Sequence, residues 1–249
     1  MLAIIGGSGL TQLPGLHITR REVVRTPYGM PSGALTFGEL GGHPVVFLAR
    51  HGYGHTVPPH LVNYRANLWA LHAQQVTHVV SVATVGGIHP DLGPGRLCVP
   101  DQIVDYTHGR ETTFAEYGNG GQVTHHDFTW PYCEDMRQHC MAALDECGET
   151  YKAAGVYGCV QGPRLETKAE IDRMARDGCD MVGMTGMPET YLARELGLCY
   201  AAIAASANWA AGRADSKQAI DAEAIEMTMN EMMARLRGVL VRLACRQFG

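Results

Sequence analysis

Leu2-Ala3-Ile4-Ile5-Gly6-Gly7-Ser8-Gly9 opens the chain with a short apolar run that stops at a glycine-rich turn carrying one hydroxyl. A run that is apolar at every position suits a strand buried on both faces, as in a parallel sheet covered by helices. Runs of the same kind recur at 44–49, 78–83, 97–104, 155–160, 180–184 and 199–205, most of them ending at a glycine or a polar turn. Helix-period segments fall between them. Residues 60–74 follow Pro58-Pro59 and place Leu61, Tyr64, Leu68 and Leu71 on one stripe. Residues 134–147, 166–176 (stopped by Gly178) and 188–196 (stopped by Gly197) come next, and 221–245 aligns Ile225, Met229, Met232, Leu236, Val239 and Leu243. Strands alternating with helices predict an α/β fold. No repeat, charge block or low-complexity linker divides residues 1–249, so a single domain is expected. The polar, turn-rich stretch 106–130 reads as a long functional loop.

Composition narrows the function. With 249 residues and 46% hydrophobic side chains, the chain can bury a sizeable core. Charged residues make up 18%, and the net charge of −5 leaves no basic footprint for nucleic acid or an acidic membrane. An anionic ligand must therefore be held by local groups. No basic leader precedes the first apolar run, and no run reaches the roughly 18 apolar residues of a membrane span, so a cytoplasmic location is expected. The 8 cysteines include no Cys-x-x-Cys pair and are read as free, small apolar residues; Cys133, Cys140 and Cys147 recur at a heptad packing spacing.

The chemistry-bearing residues cluster at strand ends. Gly6-Gly7-Ser8-Gly9 has Gln12 where a dinucleotide fingerprint needs glycine and Leu10 where a serine nucleophile elbow needs one. A small phosphate nest and a plain tight turn remain. Arg50 and His51 end the run 44–49 and offer a planar fork and a ring donor to an anion. His51 and His55 have the spacing of a helical zinc pair, but the intervening glycines oppose a helix and no metal is expected. Thr84 with Gly86-Gly87, Glu166 after Gly162-Pro163-Arg164-Leu165, and Thr185 before Pro188-Glu189 each follow another strand. Three strand ends carrying glycine with Ser8, Arg50 or Thr84 would make a multi-loop anion site.

Taken together, Gly-Gly-Ser-Gly-Leu at 6–10, Ala-Arg-His-Gly at 49–52, Asn63-Tyr64-Arg65-Ala66-Asn67-Leu68-Trp69-Ala70-Leu71, Asp101-Gln102, Gln161-Gly162-Pro163-Arg164 and Met184-Thr185-x-x-Pro188-Glu189 resemble the methylthioadenosine phosphorylase branch of the trimeric purine nucleoside phosphorylases. The resemblance runs in order along nearly the whole chain. It implies an α/β domain with a mixed central sheet flanked by helices, a homotrimer, and phosphorolysis of an N-glycosidic bond to a purine. Phosphate would be the co-substrate, with no cofactor. By that resemblance Ser8, Arg50, His51, Thr84 and Thr185 hold phosphate, with the backbone around Ala83 closing the site, and Met184 lies against the ribose. His125 reaches the 5′ end of the substrate from a neighbouring subunit, and Ile220 supplies an apolar wall for a 5′-methylthio group.

The chain departs from that branch at the base pocket. An Asp-aromatic-Asp pattern is replaced by Asn208-Trp209-Ala210, and the serine after the Gly-Pro-Arg-Phe stretch is replaced where this chain has Leu165-Glu166. A 6-aminopurine presents an N6 donor and an N1 acceptor, whereas a 6-oxopurine presents an O6 acceptor and an N1–H donor. Glu166 as a carboxylate accepts from N1–H, Asn208 donates to N7 or O6, and Ala210 removes an acceptor for an exocyclic amine. The same Glu and Asn pairing resembles the 6-oxopurine-specific phosphorylases. Expected substrates are therefore S-methyl-5′-thioinosine and phosphate, with Asn208, Glu166 and His51 closest to the chemistry. Methylthioadenosine, and inosine or guanosine, are the alternatives. A serine hydrolase using Ser8 is disfavoured by Leu10, and a non-catalytic purine binder would show no phosphate-dependent cleavage.

Overall fold

The computed structural model describes residues 1–115 and 124–248. The strands are β1 (Leu2–Gly6), β2 (His17–Glu22), β3 (Leu35–Leu40), β4 (His43–Ala49), β5 (His78–Gly87), β6 (Leu97–Cys98), β7 (Gln102–Asp105), β8 (Tyr151–Lys152), β9 (Val156–Cys159), β10 (Met181–Gly183) and β11 (Cys199–Trp209). The helices are α1 (Tyr64–Ala73), α2 (Glu134–Glu146), α3 (Lys168–Arg176), α4 (Glu189–Glu195) and α5 (Ala222–Ala244). The strands join in the order β2-β3-β4-β1-β5-β10-β9-β7, with β11 on the second edge of β5 and β6 and β8 beyond it. Parallel and antiparallel pairs coexist, so the sheet is mixed as expected.

Side chains alternate across the central strands with the period of two that a pleated strand imposes. Leu2 and Ile4 of β1 pack into one core with Met136, Cys140 and Leu144 of α2 and Leu236, Val239 and Leu243 of α5. Ala3 and Ile5 pack into the other, against Leu68 and Leu71 of α1 and Leu192 of α4. Each fully buried aliphatic side chain contributes roughly 1.5–3 kcal/mol. The last turns of α5 are held in this way, while its first turns stand largely exposed, with Ile225 and Met229 half-buried.

β5 is the pivot. β11 runs parallel along one edge, from Cys199 opposite His78 to Trp209 opposite Gly87. On the other edge β1 pairs in parallel with His78 to Ser81, and β10 pairs antiparallel with Gly86 and Gly87. Between them Val82 to Val85 have no strand partner on that edge among the described residues. The sheet therefore carries a built-in gap, ringed by the ends of β1, β4 and β10. Such a switch point is where open α/β sheets place ligands.

Several expectations need correction. The run 97–104 is two strands, because the chain turns at Pro100-Asp101, where Asp101 accepts from the Gly155 N–H at 2.8 Å. β2 was not legible as an apolar run because it is a largely exposed edge strand, and β3, although mostly buried, is interrupted by Thr36, Gly38 and Glu39. Leu61 is 66% exposed in a short 3₁₀ turn, and α1 starts at Tyr64 with Asn63 accepting the Ala66 N–H. α3 starts at Lys168, because Thr167 and Glu170 form a capping box, which leaves Glu166 outside the helix. Cys133 and Cys199 are disulfide-bonded rather than free: the Cys133 N–H donates to Tyr200 O at 2.8 Å and brings the start of α2 onto the start of β11. Cys98, Cys140, Cys159 and Cys179 are buried free thiols as expected, and burial pushes the first three up to about 12.

A Cβ on Gly6 would lie 2.1 Å from the Leu10 carbonyl oxygen and 2.8 Å from the Phe47 ring, so Gly6→Ala forces open the turn after β1. We expect a loss of about 3 kcal/mol in urea unfolding at fixed protein concentration. Gly178→Ala, at φ +89° with nothing within 4 Å, is expected to lose only about 1 kcal/mol. Equal losses would show that the turn after β1 is not tightly packed.

Candidate active site

The gap in the sheet opens into a cavity of about 280 Å³. Its floor is set by Arg50, which follows β4 and is completely buried. A buried cation needs a counter-charge and filled donors. Glu189, at the start of α4 and equally buried, accepts from Arg50 Nε at 2.7 Å and Nη2 at 2.9 Å, and also accepts from the Tyr200 hydroxyl at 2.8 Å. Nη2 further donates to Ser81 Oγ at 2.5 Å, and Nη1 to the Val82 carbonyl at 3.2 Å, on the unpaired edge of β5. Burial pulls the Arg50 pKa down, but the charge and hydrogen bonds of Glu189 outweigh it and hold the guanidinium above its ordinary value.

An arginine has five N–H donors, and four are thus engaged. Arg50 is expected from sequence to offer its planar fork to phosphate; in the structure most of the fork is taken by Glu189, Ser81 and Val82, and one Nη1 N–H is left. A Cβ on Gly7 would lie 2.9 Å from Nη1 and 2.6 Å from Val82 O, so glycine is required there by close approach. The turn over it closes through Leu10 N–H to Gly7 O at 3.0 Å, with Gly9 at φ +78° packed beneath Met229 and Met233 of α5. Ser8 at its tip accepts the Thr84 hydroxyl on its carbonyl at 3.3 Å, and its Oγ lies 3.0 Å from His55 Nε2. No sequence signal gave His55 this place.

His51 Nδ1 lies 2.8 Å from the Val57 carbonyl, which can only accept, so Nδ1 carries the proton. Burial, then the neighbouring Arg50 charge, lowers its pKa to about 4. The ring is therefore neutral near pH 7, and Nε2 carries a lone pair. Read from sequence as a donor to an anion, His51 is instead an acceptor at its free nitrogen, suited to a phosphate O–H. Thr185 is buried after β10, its N–H donating to the buried Tyr157 hydroxyl at 3.4 Å.

The opposite end of the cavity is lined by Leu165, Glu166, Met184 and Asn208, with Val85, Gly86, Val182 and Gly183. Glu166 is half-buried without an ion pair among the described residues, and burial raises its pKa. A register shift between Ser206 and Asn208 bulges β11 and brings Asn208 into the cavity lining. One amide N–H of Asn208 donates to Trp209 O at 2.6 Å, leaving the other. Met184 packs on Gly162, whose φ of +64° and close contact to the thioether leave no room for a side chain.

Of the expected site residues, Ser8, Arg50, His51, Thr84, Leu165, Glu166, Met184, Thr185 and Asn208 meet at this cavity. Four do not line it. Ala83 is buried in the core. Ala210 lies behind Gly86, its Cβ 3.5 Å from where a Gly86 side chain would begin. Ile220 precedes α5 and is not part of the lining, whereas Ile225, in the first turn of the helix that Asp221 caps, is. His125 is exposed and does not line the cavity of its own chain. Sequence reasoning missed Glu189 as the partner of Arg50, although a buried arginine calls for a carboxylate and Pro188-Glu189 follows a strand.

The relatives match this frame. A chain 51% identical over 241 residues, covering 97% of both, is a probable S-methyl-5′-thioinosine phosphorylase from Pseudomonas syringae pv. tomato. A 6-oxopurine nucleoside phosphorylase from Pyrococcus furiosus is 44% identical over 220 residues, covering 87% of this chain and 82% of its own. Among solved structures, a methylthioadenosine phosphorylase from Schistosoma mansoni in complex with adenine superposes with a TM-score of 0.92 at 32% identity, covering 98% of this chain and 90% of that one. The phosphorylase superfamily model matches residues 1–244, from the first strand of the gap to the helix that packs on its glycine turn, and the chain belongs to that family.

Proposed function

We propose that this chain cleaves S-methyl-5′-thioinosine with phosphate, giving hypoxanthine and 5-methylthioribose 1-phosphate. The observation that carries the choice of base is that Glu166 and Asn208 line the same cavity as Ser8, Arg50, Thr84 and Thr185, which offer donors to an anion. Phosphate sits on the spare Arg50 N–H, the Ser8 turn, Thr84 and Thr185, with its own O–H directed to His51 Nε2. As C1′–N9 breaks, positive charge grows on the sugar and negative charge on the purine. Phosphate faces the first. The free Asn208 N–H meets the second at N7 or O6, while Glu166 accepts from N1–H. Phosphate then bonds C1′, the electron pair of the broken bond leaves with the base, and the proton given up by hydrogen phosphate ends on the departing purine. Ile225 walls the 5′-methylthio group, and in the homotrimer that the resemblance implies His125 of a neighbouring copy closes that end.

The direct experiment compares kcat/KM for methylthioinosine, methylthioadenosine and inosine, with and without phosphate. We expect cleavage to require phosphate, and methylthioinosine to lead methylthioadenosine by roughly 10²-fold or more, because a mismatched base leaves buried polar groups unpaired. Cleavage without phosphate, or preference for methylthioadenosine, would contradict the reading. Glu166→Gln keeps an acceptor but loses the charge, and should narrow the preference about 10-fold, in line with about 1.5 kcal/mol for a charge-assisted bond. An unchanged ratio would remove Glu166 from base reading.

Neutral His51 has a stability signature. The unfolded chain takes up the His51 proton near the ordinary value of 6.5, whereas the folded chain resists it down to about 4. The stability linked to His51 is therefore complete above about pH 6.5 and is lost as pH falls toward 4. Comparing urea unfolding at pH 7.5 and 5, wild type should lose more stability than His51→Gln. Equal losses would mean that His51 is charged when folded.

A further inference from the structure

Arg110, in the segment after β7, is used by none of the steps above. The segment is anchored where the Thr113 hydroxyl and the Phe114 N–H donate to Glu195 of α4 at 2.6 and 2.8 Å. Arg110 Nε donates to Gln161 Oε1 at 3.0 Å, and Nη2 to the carbonyls of Gln161 at 2.8 Å and Val160 at 3.3 Å. Nη1 donates to the carbonyls of Met184 at 2.9 Å and Met187 at 2.6 Å, with the Tyr64 hydroxyl at 3.4 Å. One planar fork thus fills all its donors on two separate loops, and its acceptors are carbonyl, amide and phenol oxygens rather than a carboxylate.

Those loops carry opposite ends of the site. The first leads from Val160 to Glu166, which reads the base; the second holds Met184 and Thr185, beside sugar and phosphate. Their strand ends are joined by the β9–β10 pairing and by Met187 N–H to Cys159 Sγ at 3.1 Å, and beyond the strands they meet through Val160 N–H to Gly183 O at 2.8 Å and through Met184 on Gly162. We propose that Arg110 is a positioning residue, whose fork fixes the separation of Glu166 from Thr185 and so aligns base and phosphate across the bond to be broken. This rests on the function proposed above. A lysine at this position would keep the charge but has one short ammonium, which cannot span both loops.

Arg110→Ala and Arg110→Lys test it, with methylthioinosine and methylthioadenosine turnover measured beside hydrogen exchange of the whole chain. Both variants are expected to lose roughly 100-fold in kcat/KM for methylthioinosine, mainly in kcat, as misplaced reacting groups do. Their preference over methylthioadenosine should fall several-fold. Tens of millimolar methylguanidinium should restore part of the Arg110→Ala activity and none of the Arg110→Lys activity. Amides of 160–166 and 183–188 should exchange faster in both variants while the sheet core stays protected. Unchanged exchange in the two loops would overturn the proposal. So would kinetics within threefold of wild type, full rescue by lysine, or a loss that follows faster exchange throughout the chain. Wild type inactive on methylthioinosine would count against the proposed substrate, and the exchange measurement would still decide whether Arg110 couples the loops.

Discussion

Arg50 and Glu189 lie 139 residues apart in sequence and meet in the interior with almost no exposure. Removing two charges from water is expensive, and the pair persists because nearly every lone pair and proton around it is used: two bonds between the partners, then Tyr200, Ser81 and Val82. Breaking such a pair leaves a buried charge uncompensated, at a cost of about 3–5 kcal/mol. The same bonds join the end of β4 to α4, β5 and β11, so the contact that neutralises the charge also fixes the strand ends around the gap. An otherwise acidic chain can then hold an anion with one directed N–H and a set of hydroxyls.

The two ends of the cavity use different physics. At the end nearest Arg50, glycines matter because backbone must come close: Gly7 leaves Nη1 of Arg50 uncovered, and Gly9 lets α5 pack onto the turn. At the end lined by Glu166 a bulge in β11 brings Asn208 into the lining, and half-burial of Glu166 strengthens whatever hydrogen bond it makes. Arg110 bridges the loops between them. Under the proposed function, substrate choice depends on side chains that contribute little to the core, whereas the reaction itself depends on the rigid sheet beneath.

The central strands were legible because burial on both faces demands uninterrupted apolar runs, as in β1, β5 and β11. β2 was not, because an exposed edge strand reading His-Ile-Thr-Arg-Arg-Glu carries no such demand. The hydroxyls and glycines at strand ends pointed to most of the cavity lining. What escaped were properties created by partners that no sequence pattern links, most of them far apart in the chain. These are Glu189 taking the fork of Arg50, Val57 choosing the tautomer of His51, Arg110 joining two loops, and Cys133 meeting Cys199. That Ile225 rather than Ile220 lines the cavity reflects a smaller limit, since the run 221–245 fixes a helix but not which of its first residues face the gap.

A crystal structure of the protein with hypoxanthine and phosphate bound tests the central claim most directly. The account places the Glu166 carboxylate within hydrogen-bond distance of N1, the Asn208 amide on O6 or N7, and a phosphate oxygen on the remaining Nη1 proton of Arg50 while Glu189, Ser81 and Val82 keep the other four N–H groups. A base that touches neither Glu166 nor Asn208, or a phosphate that displaces Glu189 from Arg50, would contradict it.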